Sequence, residues 1–168
     1  RLNELNQNFM IIPINYPSRP KVANPYTALQ YSTHQLKHWD LAPDNLKKLS
    51  EKNLKFAIST SGLENKRDFR KNLSHSVSRG LSEEEALASL TTVPAQAFGQ
   101  SKRLGKIAPG YMANLVITDG NYFNKNSTVK SIWIEGNEIQ VSPDPINEFS
   151  GIWTLQERER EWTLDINN

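Results

Sequence analysis

Two short, mainly apolar runs constrain the fold of this chain more than any other feature. The first run covers Phe9–Asn15 and the second covers Leu54–Ser59. Runs of this length, bounded by prolines and polar residues, are typical of parallel strands that are buried on both faces. Parallel strands need a long connection, and the segment between the two runs is long enough to hold a helical crossover. We therefore predict an α/β fold built on neighbouring parallel strands.

Helical periodicity or capping signals mark four segments around these strands. The apolar periodicity is weak in the first segment and clear in the third. In the fourth, Ser82 and Glu85 have the spacing of a capping box, in which the serine caps the helix and the glutamate reaches back to it. A further short helical turn is predicted from Pro94 to Gly99. The four segments are Tyr26–Trp39, Asp44–Lys52, Glu64–Arg79 and Ser82–Leu90.

The pattern changes after Gly99, where short strands replace helices. Gly136 and Asn137 have the composition of a two-residue hairpin turn between two of these strands. Beyond a proline-containing spacer, a second hairpin is predicted to turn through an alternating charged run, and we interpret it as the start of a further β module. The predicted strands are Leu115–Ile117, Ser131–Ile134, Glu138–Val141, Gly151–Leu155 and Glu161–Ile166.

Composition and length exclude several classes of protein. The chain has no cysteine, which excludes disulfide scaffolds, thiolate metal sites and cysteine nucleophiles. Its 20 basic and 18 acidic residues are interspersed, so no basic stripe for nucleic acid is predicted. No apolar run approaches the length needed to span a bilayer. With 168 residues the chain is too short for a complete (β/α)8 barrel, which needs about 250, and we expect a piece of a longer protein.

Several ordered motifs carry a resemblance to a known family. These motifs are similar to the C-terminal signature of the amidohydrolase superfamily, in particular its imidazolonepropionase-related branch. The similarity extends over residues 9 to 141 and holds for both the order and the spacing of the motifs. Two further segments, His38–Pro43 and Phe56–Leu63, resemble a large multidomain bacterial subset of that branch. The motifs are Gly80–Leu87, Thr91–Ala95, Leu104–Ile117 and the set of Val129, Trp133 and Gly136.

This resemblance implies the C-terminal portion of a TIM-like (β/α)8 barrel followed by strands of a small composite β-sandwich. Residues 1–99 would form the last two β/α units, with Phe9–Asn15 as strand seven and Leu54–Thr60 as strand eight. Residues 100–141 would form the C-terminal strands of the sandwich, and residues 142–168 a linker and the start of a further β module. Barrel strands one to six, with which strands seven and eight would pair, would then be missing from this chain. The uncovered edges of strands seven and eight favour self-association.

The resemblance also implies hydrolysis that depends on one or two divalent, zinc-type metals, which lower the pKa of a bound water. It places the metal-binding histidines on strands one, five and six, and a metal-binding, proton-carrying aspartate at the end of strand eight. Only the last position lies in this chain, and Ser61 occupies it. A neutral hydroxyl is a poor metal ligand and a weak base. We therefore expect no metal site in this chain and no catalytic function for Ser61.

The residues that follow the two strands are the candidates for contact with a small-molecule substrate. Asn15, Tyr16 and Thr60 stand where active sites form, at the carboxyl ends of barrel strands. His34 and His38 have a spacing that can hold zinc on one face of a helix, but glutamate is absent at position 35, and we interpret both as surface or packing residues.

Together these features favour a fragment of a metal-dependent amidohydrolase-type hydrolase. Its substrate bond would be a carbon–nitrogen bond in a non-peptide amide, a cyclic amide or a dipeptide, and the fragment would be inactive alone. The alternative is a degenerate, non-catalytic barrel module that acts as a scaffold or binding unit, for which the serine at position 61 is the motivation. A third reading is an independently folded, β-rich interaction module. The resemblance suggests a periplasmic or exported parent, but the residues do not establish a compartment.

Overall fold

Strands β1 and β2 form a two-stranded parallel sheet in the computed structural model, which describes residues 9–142, 151–157 and 160–166. The strands are β1 Met10–Pro13, β2 Phe56–Ser59, β3 Leu115–Thr118, β4 Val129–Ile134, β5 Asn137–Gln140, β6 Gly151–Glu157 and β7 Arg160–Ile166. The helices are α1 Pro25–Ala28, α2 Thr33–Leu41, α3 Asn45–Ser50, α4 Asp68–Ser78, α5 Glu83–Leu90 and α6 Thr92–Ala97, with a 3-10 turn at Ala42–Asp44. The chain is therefore a mixed α/β protein.

The parallel pairing of β1 with β2 confirms the central prediction from the sequence. Met10 pairs with Phe56, and Pro13 pairs with Ser59. The prediction that both faces of each strand are buried was wrong for β1, because the side chain of Ile11 is 57% exposed. Met10 and Ile12 face the core instead.

The core lies between this sheet and the helices. It is formed by Ile14 just after β1, Leu46 on α3, Phe56 on β2, Leu73 on α4, Leu81 before α5 and Ala86 on α5. Phe69 and Val77 of α4 pack against the same cluster, as the helical periodicity predicts. Burial of these apolar side chains therefore holds α3, α4 and α5 against the sheet.

The predicted single helix over Tyr26–Trp39 is in fact two helices. The side chain of Asn24 accepts a hydrogen bond of 2.8 Å from the Thr27 amide and caps α1. Ser32 then caps α2 in a complete capping box with Gln35. Because a capping residue takes an extended backbone conformation, a helix that starts after Ser32 cannot continue from α1.

Only half of the capping box predicted at α5 forms. The Ser82 hydroxyl accepts a hydrogen bond of 3.2 Å from the Glu85 amide, as predicted. The Glu85 carboxylate does not reach back to the Ser82 backbone, and it accepts hydrogen bonds from the hydroxyls of Ser82 and Ser50. The end of α3 therefore supplies a partner that local sequence spacing does not indicate.

Strands β3, β4 and β5 form an antiparallel meander, and β6 pairs with β7 in an antiparallel hairpin. The pairings of β4 with β5 and of β6 with β7 confirm the two predicted hairpins. The turn between β4 and β5 is displaced by one residue from the predicted Gly136-Asn137 pair. Glu135 and Gly136 have φ values of 51° and 86°, while Asn137 pairs with Ile134. Two successive positive φ values are the geometry of a type I′ turn, so the turn is Glu135-Gly136.

The loop between β3 and β4 packs against α4 and α5. Arg70 on α4 donates a hydrogen bond of 2.7 Å to the Tyr122 carbonyl and another of 2.9 Å to the Asn124 carbonyl. Its guanidinium also lies 5.1 Å from the centre of the Tyr122 ring. Asn121 adds a hydrogen bond of 2.7 Å to Glu83 on α5. The meander is thereby fixed to the helical layer.

Within the described ranges, no helix has both the length and the apolar character required to cross a bilayer.

Candidate functional site

The carboxyl ends of β1 and β2 lie side by side, because the two strands are parallel and paired in register. The rim that they form consists of Asn15 and Tyr16 after β1 and the turn of Thr60, Ser61 and Gly62 after β2. Asn15 and Gly62 are in direct contact across this rim: a Cβ added to Gly62 would lie 3.1 Å from Asn15 Cγ and even closer to Nδ2. Gly62 has a φ of +72°, which disfavours other residues there. The structure thus brings Asn15 beside the turn that contains Ser61.

Thr60 and Ser61 are exposed in that turn. The Leu63 amide donates a hydrogen bond of 3.2 Å to the Thr60 carbonyl and closes the turn. The Ser61 amide donates a hydrogen bond of 3.0 Å to the Ser59 hydroxyl. The groups that the turn presents are therefore hydroxyls, which can orient a ligand by hydrogen bonding but remain neutral at physiological pH.

Tyr16 is directed toward the helical layer. The Ser76 hydroxyl donates a hydrogen bond of 3.0 Å to the Pro43 carbonyl. Because that bond uses the one proton of Ser76, the Tyr16 hydroxyl donates to Ser76. Burial raises the pKa of Tyr16 above its ordinary value, and the hydrogen bond with Ser76 partly opposes this effect. Tyr16 is consequently a neutral phenol that anchors the end of β1 to α4.

A cleft of about 630 Å³ opens beside the rim, between the end of β1 and α2. Pro13, Asn15 and Tyr16 line one side of it. The other side is lined by four residues of α2, namely His34, Lys37, His38 and Leu41. The two histidines are exposed, as predicted, but they also face the cleft together.

Sequence reasoning did not single out Lys37 or Asn45, which both line this cleft. A signal for Lys37 was present, because residues 34, 37, 38 and 41 have the i, i+3, i+4, i+7 spacing of one helical face. The sequence could not show that this face lies beside β1, because its position depends on tertiary packing.

The donor groups in the described part of the chain do not fit a divalent metal. Across residues 9–142, 151–157 and 160–166, no cluster of three or more His, Cys, Asp or Glu side chains could hold a metal ion. At the rim itself, the amide of Asn15 and the hydroxyls of Thr60 and Ser61 are weak neutral ligands. The side chains at this rim are therefore suited to hydrogen bonding with a ligand and not to holding a metal.

Comparison with known proteins identifies a family match. The sequence model of the amidohydrolase family matches residues 43–139. Among curated proteins, the amidohydrolase tasK of Hapsidospora irregularis is 40% identical over 57 residues, which are 34% of this chain and 6% of that protein.

Solved amidohydrolase structures share the fold. An amidohydrolase from Thermotoga maritima is 28% identical with a TM-score of 0.55, and the match covers 70% of this chain and 30% of that one. A prolidase complexed with N-methylphosphonate-L-proline is 21% identical with a TM-score of 0.60, over 84% of this chain and 36% of that one. The chain therefore spans about a third of the length of these structures, which are barrel proteins of the TIM type.

Proposed function

Because this chain belongs to the amidohydrolase family, we propose that it is part of a metal-dependent hydrolase that cleaves a carbon–nitrogen bond in a small molecule. The bond belongs to a non-peptide amide, a cyclic amide or a dipeptide. The likeness of fold to a prolidase supports the dipeptide among these classes. The motifs from Gly80 to Gly136 support the imidazolonepropionase-related branch of the family.

One observation carries this proposal: Asn15 and Gly62 meet where two paired parallel strands end. In (β/α)8 enzymes the active site is built from the loops at the carboxyl ends of the strands. We assign β1 and β2 to barrel strands seven and eight, within residues 1–99. Residues 100–141 then belong to the composite sandwich, and residues 142–168 to a linker and the start of a further β module.

In this assignment the rim residues contact substrate without holding metal. The Asn15 side chain can both donate and accept hydrogen bonds, so it is suited to orienting an amide group. The Thr60 hydroxyl is on the same rim, whereas the Tyr16 hydroxyl is already engaged with Ser76. Tyr16 therefore acts by fixing the backbone that carries Asn15.

The chain alone is expected to be inactive, because the metal ligands of the complete hydrolase lie on barrel strands one to six. In the complete barrel, β1 and β2 would pair with strands from that part of the protein. Without them the outer edges of β1 and β2 and the exposed side chain of Ile11 are available for self-association.

The test is a hydrolysis assay on the complete protein that contains this chain. A panel of dipeptides, cyclic amides and N-acyl amino acids would be incubated with the protein before and after treatment with a chelator. We expect hydrolysis of at least one class, abolished by the chelator and restored by zinc. A protein with full metal content that hydrolyses no member of the panel would overturn the proposal.

The second candidate is a degenerate barrel module that serves as a scaffold or binding unit. It is favoured by the turn after β2, where residues 59–63 contain three hydroxyl side chains and no carboxylate. In that case the complete protein would bind small molecules through the same rim and leave them intact.

A further inference from the structure

The basic and acidic side chains of α2 lie on different sides of the helix. His34, Lys37 and His38 line the cleft beside β1. Asp40, the acidic residue of the same helix, lies 3.4 Å from the Arg79 guanidinium. The negative charge of Asp40 is therefore neutralised by Arg79 outside the cleft, whereas the basic side chains face into the cleft.

The rest of the cleft lining is neutral. Asn15 and Asn45 contribute amides, and the remaining lining residues are apolar or aromatic. No Asp or Glu is among the described residues that line the cleft. A cleft with one lysine, two imidazoles and two amides can donate several hydrogen bonds, and charge-assisted donors of this kind bind carboxylates well.

The helix that carries the basic face is capped at its start. The Ser32 amide donates a hydrogen bond of 2.8 Å to the Gln35 side chain, and the Gln35 amide donates one of 3.2 Å to the Ser32 hydroxyl. This capping box fixes the first turn of α2, from which His34 projects. The entropy lost when a ligand binds is smaller where the binding groups are already ordered.

We propose that this cleft is a subsite for the carboxylate of an acidic substrate, with Lys37 as its principal ion-pair partner and His34 and His38 as additional hydrogen-bond donors. The inference rests on the proposed hydrolase function and narrows its substrates to amides that carry a free carboxylate, such as N-acyl amino acids and dipeptides. Asn15 lines the cleft and also contacts Gly62, so it joins the subsite to the rim where the scissile amide would lie.

Binding can be tested on the 168-residue chain itself, without any catalytic step. The side-chain NMR signals of His34 and His38 would be followed as N-acetylglycine is added, with N-acetylglycinamide as a probe of similar shape and no charge. We expect saturable shifts with the carboxylate and little response to the amide.

Two variants make this test specific. Lys37→Gln should weaken binding of N-acetylglycine by about tenfold, the loss expected for one charge-assisted hydrogen bond. The control Lys71→Gln removes an exposed lysine of α4 that does not line the cleft and should leave binding unchanged. Equal shifts with the two probes, no saturation, or an equal loss in both variants would each overturn the subsite.

The result is separable from the hydrolysis assay. If N-acetylglycine binds as described but the complete protein hydrolyses nothing, the subsite stands and the hydrolase proposal fails. If the complete protein hydrolyses neutral amides as well as their carboxylate counterparts, the hydrolase proposal stands and the subsite fails.

Discussion

Asn15 lies directly against Gly62, where two neighbouring parallel strands end. Each follows its strand by only a few residues, and the contact joins the two turns that form the rim. A side chain at position 62 would have to displace Asn15 and also adopt a left-handed backbone conformation.

We therefore expect Gly62→Ala to lower the free energy of unfolding by about 2–4 kcal/mol, measured by urea denaturation, because the displacement of Asn15 adds to the cost of the backbone conformation. Gly110→Ala is a matched control, because Gly110 has a φ of +85° but no atom within 4 Å of an added Cβ. The control should show only the cost of the backbone conformation, about 1–2 kcal/mol. If both variants lose the same free energy, the contact with Asn15 contributes nothing.

Ser76→Ala should destabilise the chain by about 1–3 kcal/mol, because it leaves the Tyr16 hydroxyl and the Pro43 carbonyl without their buried partner. Ser78→Ala, two residues away, removes an exposed hydroxyl that donates to the His75 carbonyl. The second change should cost less than about 0.5 kcal/mol. Thermal unfolding of the two variants side by side provides the comparison, and similar losses would contradict the Tyr16 anchor.

The stability of the fold should also fall at alkaline pH through Tyr16. Its pKa in the folded state is raised by burial, so the neutral phenol stabilises the fold fully below the pKa of the unfolded state, about 10. This contribution is lost as the pH rises through the folded-state pKa. Tyr16→Phe should flatten the alkaline part of a plot of unfolding free energy against pH, and an unchanged slope would contradict the assignment.

The acidic side of the same plot should depend on Asp44. The Arg79 side chain donates a hydrogen bond of 2.6 Å to Asp44 and holds the pKa of that carboxyl below its ordinary value. A lowered folded-state pKa gives stability that is present above the unfolded pKa and is lost as the pH falls through the folded-state pKa. Asp44→Asn should reduce this acid dependence. Asp68→Asn is the control, since Asp68 lies on α4 outside this ion pair.

Ser61→Ala should leave the activity of the complete protein within about threefold of the original, because the hydroxyl neither holds metal nor carries the proton in the proposed reaction. Loss of a positioned general base costs about 100- to 10,000-fold in rate. A fall of that size, with the circular dichroism spectrum unchanged, would show that Ser61 takes part in catalysis.

Local patterns in the sequence predict the amphipathic helix α4 and the two hairpins, because each depends on residues close together in the chain. The parallel pair of strands was predicted from two apolar runs and from a connection between them long enough for a helical crossover. The break between α1 and α2 was missed although Ser32 and Gln35 have capping-box spacing, since the weak apolar periodicity across it favoured one helix. The contacts of Tyr16 with Ser76 and of Glu85 with Ser50 join distant segments, and no local pattern encodes them. The roles of Asn15, Tyr16, Thr60 and Ser61 in binding or catalysis stay predictions.

Arg70 has a consequence for how this chain can be divided. Its two hydrogen bonds and its contact with Tyr122 attach a loop of the β-rich part to a helix of the α/β part, and Tyr122 and Phe123 pack against the core there. The secondary structure therefore changes from mainly helical to mainly β at residue 99, but the two parts are expected to unfold together as one cooperative unit. Expressed without the residues that follow, the first 99 residues would expose an apolar surface that the intact chain keeps covered, and amide hydrogen exchange along α4 would be faster.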